Sequence, residues 1–467
     1  MSDYKLAING QNVDGDMVLD VVNPATGDVF AQVARASVAQ ANSAVAAAKA
    51  AFPSWSRTPI AERKKILASF ADKLNARAEE IARVMTQEQG KPLAESQFEV
   101  SYTEAFIRHF AGMDIASYVV QDDEAFHVEV RRKALGVVAA ITPWNFPILI
   151  PGFKLAMATL AGNTVILKPS PTTPICGLIL GEICNEVFPA GVVNVIVDDN
   201  DLGAVLSEHP DVAKVSFTGS VETGKRVMAS ASSTLKRLTL ELGGNDAGII
   251  LPDVDVKETA KKIFAAAFMN CGQVCLAVKR AYVPDSIYDE MCDELAKLAD
   301  AAIVDDGLKQ GAEIGPLQNK AQYEKVLGFL ESAKKDGTII AGGEQVDRPG
   351  YFLRPTIVRD VAEGTRIVDE EQFGPILPVI RYKDGEDIVA RVNQSQFGLG
   401  GSVWSADKDK AIELAGEMES GTVWVNQHLY FAPHIPFAGA KNSGIGIEFA
   451  EEGLAEFTQI QVINVAN

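Results

Sequence analysis

The sequence predicts an α/β protein made of two doubly wound domains. From Gly136 onward, short uninterrupted apolar runs alternate with helical stretches, and a second alternation of the same kind extends from about Ala247 to Asn426. Apolar runs without polar interruption mark strands buried on both faces, the condition of a parallel sheet covered by crossover helices. In the first unit the runs are Gly136-Val-Val-Ala-Ala-Ile141, Thr164-Val-Ile-Leu167, Val193-Asn-Val-Ile-Val197 and Val215-Ser-Phe217, with Ile175 to Val187 reading as a crossover helix. In the second they include Ala247-Gly-Ile-Ile-Leu251, Arg280-Ala-Tyr-Val283 and Thr422-Val-Trp-Val425. Ahead of both, residues 38–116 are rich in Ala, Glu, Lys and Arg at helical spacing. Asp122 to Lys133 and Phe457 to Val465 alternate apolar and polar residues, as exposed or pairing strands do.

Composition narrows the function classes. A chain of 467 residues holds two or three domains, and 47% hydrophobic with 22% charged residues provides a sizeable core. The net charge of -19 argues against nucleic acid and anionic membranes as partners, because phosphate contact needs clustered Lys and Arg. Its plain reading is solubility. The start, Met1-Ser-Asp-Tyr-Lys-Leu-Ala7, lacks the basic end and apolar run of a signal peptide. The uncharged stretch Gly136 to Phe153 contains Pro143, Pro147 and Pro151, which would break a spanning helix, so it reads as a buried strand followed by a loop. Five cysteines (Cys176, Cys184, Cys271, Cys275, Cys292) are few and odd in number, which suits a reducing cytoplasm. Cys271 and Cys275 have no nearby His or third Cys, so no metal site is expected.

Two stretches carry candidate chemistry. Phe268-Met-Asn-Cys-Gly-Gln-Val-Cys275 ends a Gly/Gln turn on a thiol, and Glu241-Leu-Gly-Gly-Asn245 sets a carboxylate beside a glycine pair. A thiol nucleophile needs a loop open to close backbone approach and a group to take its proton. Read alone, Cys275 fits an inert buried cysteine as well. Phe217-Thr-Gly-Ser-Val-Glu-Thr-Gly224 follows a strand and opens a helix, so its free N–H groups offer a phosphate site, or else it is a plain turn with a Ser cap. No G-x-G-x-x-G is present. Lys168, in Lys168-Pro-Ser-Pro-Thr-Thr-Pro174, ends a strand where open α/β sheets bind ligands, or is simply solvated there. Asn145, in Ile141-Thr-Pro-Trp-Asn-Phe-Pro147, is a turn residue on its own terms.

Taken together and in this order, these motifs resemble the aldehyde dehydrogenase superfamily. The resemblance spans nearly the whole chain, from Asn23-Pro-Ala-Thr-Gly27 to Lys441-Asn-Ser-Gly-Ile-Gly446. It implies a Rossmann-like cofactor domain (1–117 and 134–243), a catalytic domain (244–441) and a small β oligomerisation arm (118–133 and 442–467) that assembles a homodimer or homotetramer. It implies NAD(P)-dependent oxidation of an aldehyde to a carboxylic acid in the cytoplasm. Cys275 is then the nucleophile that passes through a thiohemiacetal and a thioester, Glu241 the general base, and Asn145 the oxyanion donor together with the Cys275 N–H. Glu448 is a further carboxylate near the site.

The same resemblance places Ile141, Thr142, Pro143, Trp144, Lys168, Ser170, Phe217, Gly219, Ser220, Leu242 and Gly243 against the cofactor. In Glu371-Gln-Phe-Gly-Pro375 it assigns Glu371 to the nicotinamide ribose and Phe373 to the ring, with Gln322 and Lys325 as looser ribose contacts or a solvated helical face. Two positions depart from the family pattern: Val221 replaces a Thr, and Pro171 stands where a Glu often meets the ribose 2′-hydroxyl. Without that carboxylate NADP is physically permitted, but no Arg replaces it, so NAD is the expected cofactor. The tunnel positions Phe146, Ile150, Phe153, Val274, Leu276, Phe431 and Phe437 are apolar, with no cation for a substrate carboxylate. This favours an apolar or aromatic aldehyde. His428 and His434 read as surface residues. A cofactor-independent thiol esterase or a catalytically silent relative is the alternative. A CoA-acylating enzyme commonly lacks the base Glu, which is present here.

Overall fold

The computed structural model describes residues 4–467; residues 1–3, where the leader-free start was read, lie outside them. The first sheet has eight strands in the order Gln11–Val13, Leu6–Ile8, Val193–Val195, Thr164–Lys168, Val137–Ile141, Val212–Thr218, Arg237–Glu241 and Gly444–Ile445. Its five inner strands are parallel, while the N-terminal pair and Gly444–Ile445 join antiparallel at the edges. Val137–Ile141 and Thr164–Lys168 are buried at every residue, as continuous apolar runs require. The register sets Ile141 beside Lys168 and Phe217, and Thr218 beside Glu241. The carboxyl ends of four strands therefore form one edge.

The second sheet runs Thr338–Ala341, Thr356–Val361, Ile376–Tyr382, Val278–Pro284, Asp246–Ile250, Gly400–Trp404 and Thr422–Val425. All its neighbours are parallel except the first pair. Two buried clusters, one around each sheet, form the core. Residues 38–116 fold as four helices, Val38–Trp55, Ile60–Ala76, Ala78–Gln89 and Leu93–Gly112. A separate antiparallel sheet joins Thr458–Ala466, Phe126–Ala134 and Tyr118–Asp122.

The segment after Ile141 differs from its sequence reading. The loop ends at Ile148, and a buried helix, Leu149–Leu160, follows. Pro151 sits in its first turn, where a missing N–H costs no intrahelical bond. The buried Glu99 carboxylate accepts the Ile148 and Leu149 N–H groups at 2.9 and 3.1 Å, capping a helix that has no polar residue of its own at that end. No helix among the described residues is long and apolar enough to cross a membrane.

Candidate active site

The nucleophile loop leaves the helix Val256–Phe268 through Met269–Gly272 and enters the strand at Val278. Asn270 and Cys271 take left-handed backbone (φ 50° and 59°), a conformation that costs non-glycine residues energy and must be held by neighbours. Here the holders are side chains. Gln89 donates to Asn270 Oδ1 at 2.9 Å, and the Asn270 N–H donates to Glu95 at 3.1 Å. Gln273 donates to the Asn270 carbonyl at 3.0 Å, and its own Oε1 accepts the Gln318 N–H at 2.9 Å. Asn145 Nδ2 donates to the Gln273 carbonyl at 3.0 Å, which uses one of its two amide hydrogens and ties it to the loop two residues before Cys275.

Glu241 ends its strand opposite that loop. The glycines after it are there for close approach. A Cβ at Gly244 would fall 2.5 Å from the Cys275 carbonyl oxygen, and one at Gly243 would fall 2.3 Å from Glu371 Oε2. Burial pushes the Glu241 carboxyl up to about 8, the Glu448 charge adds to that, and a hydrogen bond from the Cys275 thiol opposes it. Its Oε1 has no hydrogen-bond partner. Burial first, and Glu241 second, push the Cys275 thiol well above its ordinary value. Behind Glu241, the buried Glu448 pairs with Lys154, whose Nζ also donates to Ser216 at 2.9 Å.

Two cavities meet at this pair. One, of about 380 Å³, is lined by all seven residues of the tunnel expectation: Phe146, Ile150, Phe153, Val274, Leu276, Phe431 and Phe437. Cys275, Glu241 and Glu448 also line it. Phe449 packs between Phe153, Phe431 and Phe437 at ring distances of 4.8, 6.1 and 5.6 Å. The other cavity, of about 160 Å³, shares Cys275, Glu241 and Ile150 with the first. It takes in Pro143, Trp144, Asn145, Gly219, Ser220, Leu242, Gly243, Gln322, Lys325, Glu371 and Phe373.

The remaining candidates sit elsewhere on the edge. Ile141, Thr142, Lys168, Ser170 and Phe217 are not among the residues lining the smaller cavity. Lys168 is buried and its Nζ donates to Asp198 at 2.6 Å, so it is not solvated. Gln322 donates to the Gln372 and Phe373 carbonyls at 3.0 and 2.8 Å, which makes it a brace for the Glu371 loop. His428 corrects the surface reading: its ring is enclosed, Nε2 lies 2.7 Å from the Leu276 carbonyl, and burial holds its pKa down at about 3. His434 is exposed as expected.

Sequence reading missed several lining residues. Phe98 and Tyr102 face the larger cavity from one helix, stacked at 5.1 Å. Their four-residue spacing was the available signal. Lys91 also lines it, the cation that the tunnel positions themselves lack. It is already spent: Nζ pairs with the buried Glu99 at 2.5 Å, donates to the Asn145 carbonyl at 2.8 Å and lies over the Phe146 ring at 4.1 Å. Glu95 beside it is held up to about 7 by burial.

The smaller cavity suits a dinucleotide. The helix Val221–Ala231 opens at its rim, with Ser220 capping the Thr223 N–H at 3.2 Å and leaving first-turn N–H groups free for a phosphate. The buried hydroxyl of Thr218, which lines this cavity, has no hydrogen-bond partner among the described residues. Glu371 offers a carboxylate to ribose hydroxyls, and Trp144 and Phe373 meet edge to face at 5.3 Å beside it.

A family profile, the Aldehyde dehydrogenase family, matches residues 12–463. This chain belongs to the aldehyde dehydrogenase family. It is thus an oxidoreductase acting on aldehydes. It is 38% identical to a phenylacetaldehyde dehydrogenase of Pseudomonas fluorescens, across 99% of this chain and 96% of that one. It is 36% identical to a mitochondrial benzaldehyde dehydrogenase of Antirrhinum majus, across 99% and 89%. The NAD+ complex of a Bacillus cereus aldehyde dehydrogenase superposes with a TM-score of 0.97 at 35% identity, across 99% of this chain and 96% of that one. The enzyme thus shares the two-sheet α/β fold of that relative.

Proposed function

We propose that this enzyme oxidises apolar or aromatic aldehydes to carboxylic acids with NAD, through a covalent intermediate on Cys275. The observation that carries the proposal is the shared position of Cys275 and Glu241, which line both the apolar cavity and the cavity suited to a dinucleotide. The NAD+ complex of the Bacillus cereus relative supports the cofactor, and the aromatic aldehydes for which the Pseudomonas and Antirrhinum relatives are named support the substrate class. The spent charge on Lys91 and the adjacent Glu95 and Glu99 disfavour an anionic substrate.

Glu241 takes the proton of the Cys275 thiol, and Sγ forms a bond to the aldehyde carbon. The second amide hydrogen of Asn145 and the Cys275 N–H donate to the oxygen that becomes charged. A bound NAD would supply the hydride acceptor for this step; Ser220 and the first turn of its helix would hold its pyrophosphate and Glu371 its ribose, with Trp144 and Phe373 beside the nicotinamide. The acyl group then rests on Sγ as a thioester. Glu241 releases the thiol proton to solvent and then takes a proton from water, whose oxygen bonds to the acyl carbon as the C–S bond breaks and Cys275 leaves as the thiolate. Glu448, held by Lys154, acts on Glu241 through its charge. The same reading gives the two large sheets the cofactor and catalytic roles. It gives the three-stranded sheet, with Tyr118, Val120, Ile460 and Val462 exposed, the joining of subunits into a homodimer or homotetramer.

Reduced-cofactor absorbance over aliphatic, aromatic and carboxylate-bearing aldehydes tests the proposal. Benzaldehyde-type and phenylacetaldehyde-type substrates are expected to turn over with NAD, and carboxylate-bearing ones to be poor. Equal turnover of the acidic aldehydes would refute the tunnel reading. Running each with NADP measures what Pro171 permits. Asn145→Ala is expected to lower kcat about 10²–10³-fold while thermal stability changes little, since its backbone carbonyl contacts persist. A normal kcat in that variant would remove Asn145 from oxyanion binding.

A further inference from the structure

Lys279 opens the strand that follows the nucleophile loop, and its amine turns back beneath that loop. Its Nζ donates to the Val274 carbonyl at 2.7 Å and to the Cys275 carbonyl at 2.6 Å, and lies 3.5 Å from Glu371 Oε1. Glu371 Oε1 in turn accepts the Gly244 N–H at 3.0 Å. The Lys279 side chain is 3% exposed. An ammonium has three N–H donors and no acceptor, so these contacts use it completely. This one gives two of its donors to the carbonyls flanking the reactive thiol and keeps its carboxylate at the longest of the three distances.

We propose that Lys279 is a positioning residue for aldehyde oxidation: its amine clamps the backbone on either side of the Cys275 side chain and ties that loop to the Glu371 carboxylate. The proposal rests on Cys275 as nucleophile and Glu371 as cofactor ligand. The charged groups around it are few. Burial, Glu241 and Asp246 oppose the thiolate, and Lys279 favours it. Glu448 and Lys154 act on Glu241 from behind. Lys279 itself faces Glu371 and Asp246, and His428 is kept neutral by its own burial. Arg280 on the same strand is directed away, donating to the Asn245 carbonyl and to Tyr282. Iodoacetamide reads the thiolate without needing turnover.

Lys279→Gln keeps two N–H donors for the two carbonyls and removes the charge. The pH midpoint of iodoacetamide alkylation at Cys275, followed by peptide mass, is expected to rise by about one unit. A folded Lys279→Gln protein with an unmoved midpoint would overturn the proposal, since a purely structural lysine changes the melting temperature alone. If Lys279→Gln does not fold, Lys279→Met decides: a raised midpoint supports the proposal and an unmoved one overturns it. Full turnover in protein alkylated at Cys275 would instead overturn the nucleophile reading beneath it, and this proposal with it.

Discussion

Cys275→Ala is expected to abolish aldehyde oxidation while leaving NAD affinity within about twofold of the parent protein, because the side chain only borders the cofactor cavity. No other group in the site can take its place. The remaining cysteines are all buried, and burial raises the thiols of Cys184 and Cys271. The loop should survive the change, since its shape is held by Gln89, Gln273, Asn145 and Lys279 through contacts that do not involve Sγ. Isothermal titration with NAD beside a turnover assay checks both halves. Loss of NAD binding together with activity would make the residue structural.

Glu241→Gln is expected to lower kcat by about 10²–10⁴-fold, the span of a removed general base, with a smaller change in substrate affinity. In the parent enzyme the carboxyl titrates at about 8, so kcat/KM should rise with pH up to that value and level off above it. The variant should lose that limb. The same group affects stability with a definite sign. Its folded pKa lies above its ordinary value, so between the two the folded protein holds more protons than the unfolded chain. Its contribution to stability is therefore full below the ordinary carboxylate value and is lost as pH rises through about 8. Melting temperatures of the Gln variant should fall less steeply over that window than those of the parent. An unchanged rate and an unchanged slope would take Glu241 out of the mechanism.

The contrast between legible and hidden residues has a physical basis. Strands such as Val137–Ile141 and Thr164–Lys168 announce themselves because both faces are buried and no polar residue interrupts them. The nucleophile and base stretches are short and local, and their glycines and amides are forced by close approach, as Gly244 against the Cys275 carbonyl shows. Hidden residues are those whose setting is made by distant chain. Phe98, Tyr102 and Phe449 reach the larger cavity from a helix and a C-terminal turn far apart in sequence. Lys91 has no motif around it, and only folding brings Glu99 and the Asn145 carbonyl to its amine. His428 reads as a surface residue, yet folding encloses it against Leu276. Lys279 sits among apolar strand residues, where only the tertiary structure shows that its amine turns back to the nucleophile loop.

The covalent step is the point on which the proposed chemistry stands. The most direct measurement mixes the parent enzyme with NAD and an aromatic aldehyde, quenches in acid within the first turnover and weighs the peptide containing Cys275. The thioester should accumulate, with that peptide heavier by the acyl group of the aldehyde and one equivalent of reduced cofactor formed per site. Reduced cofactor formed with an unmodified Cys275 peptide would contradict the mechanism.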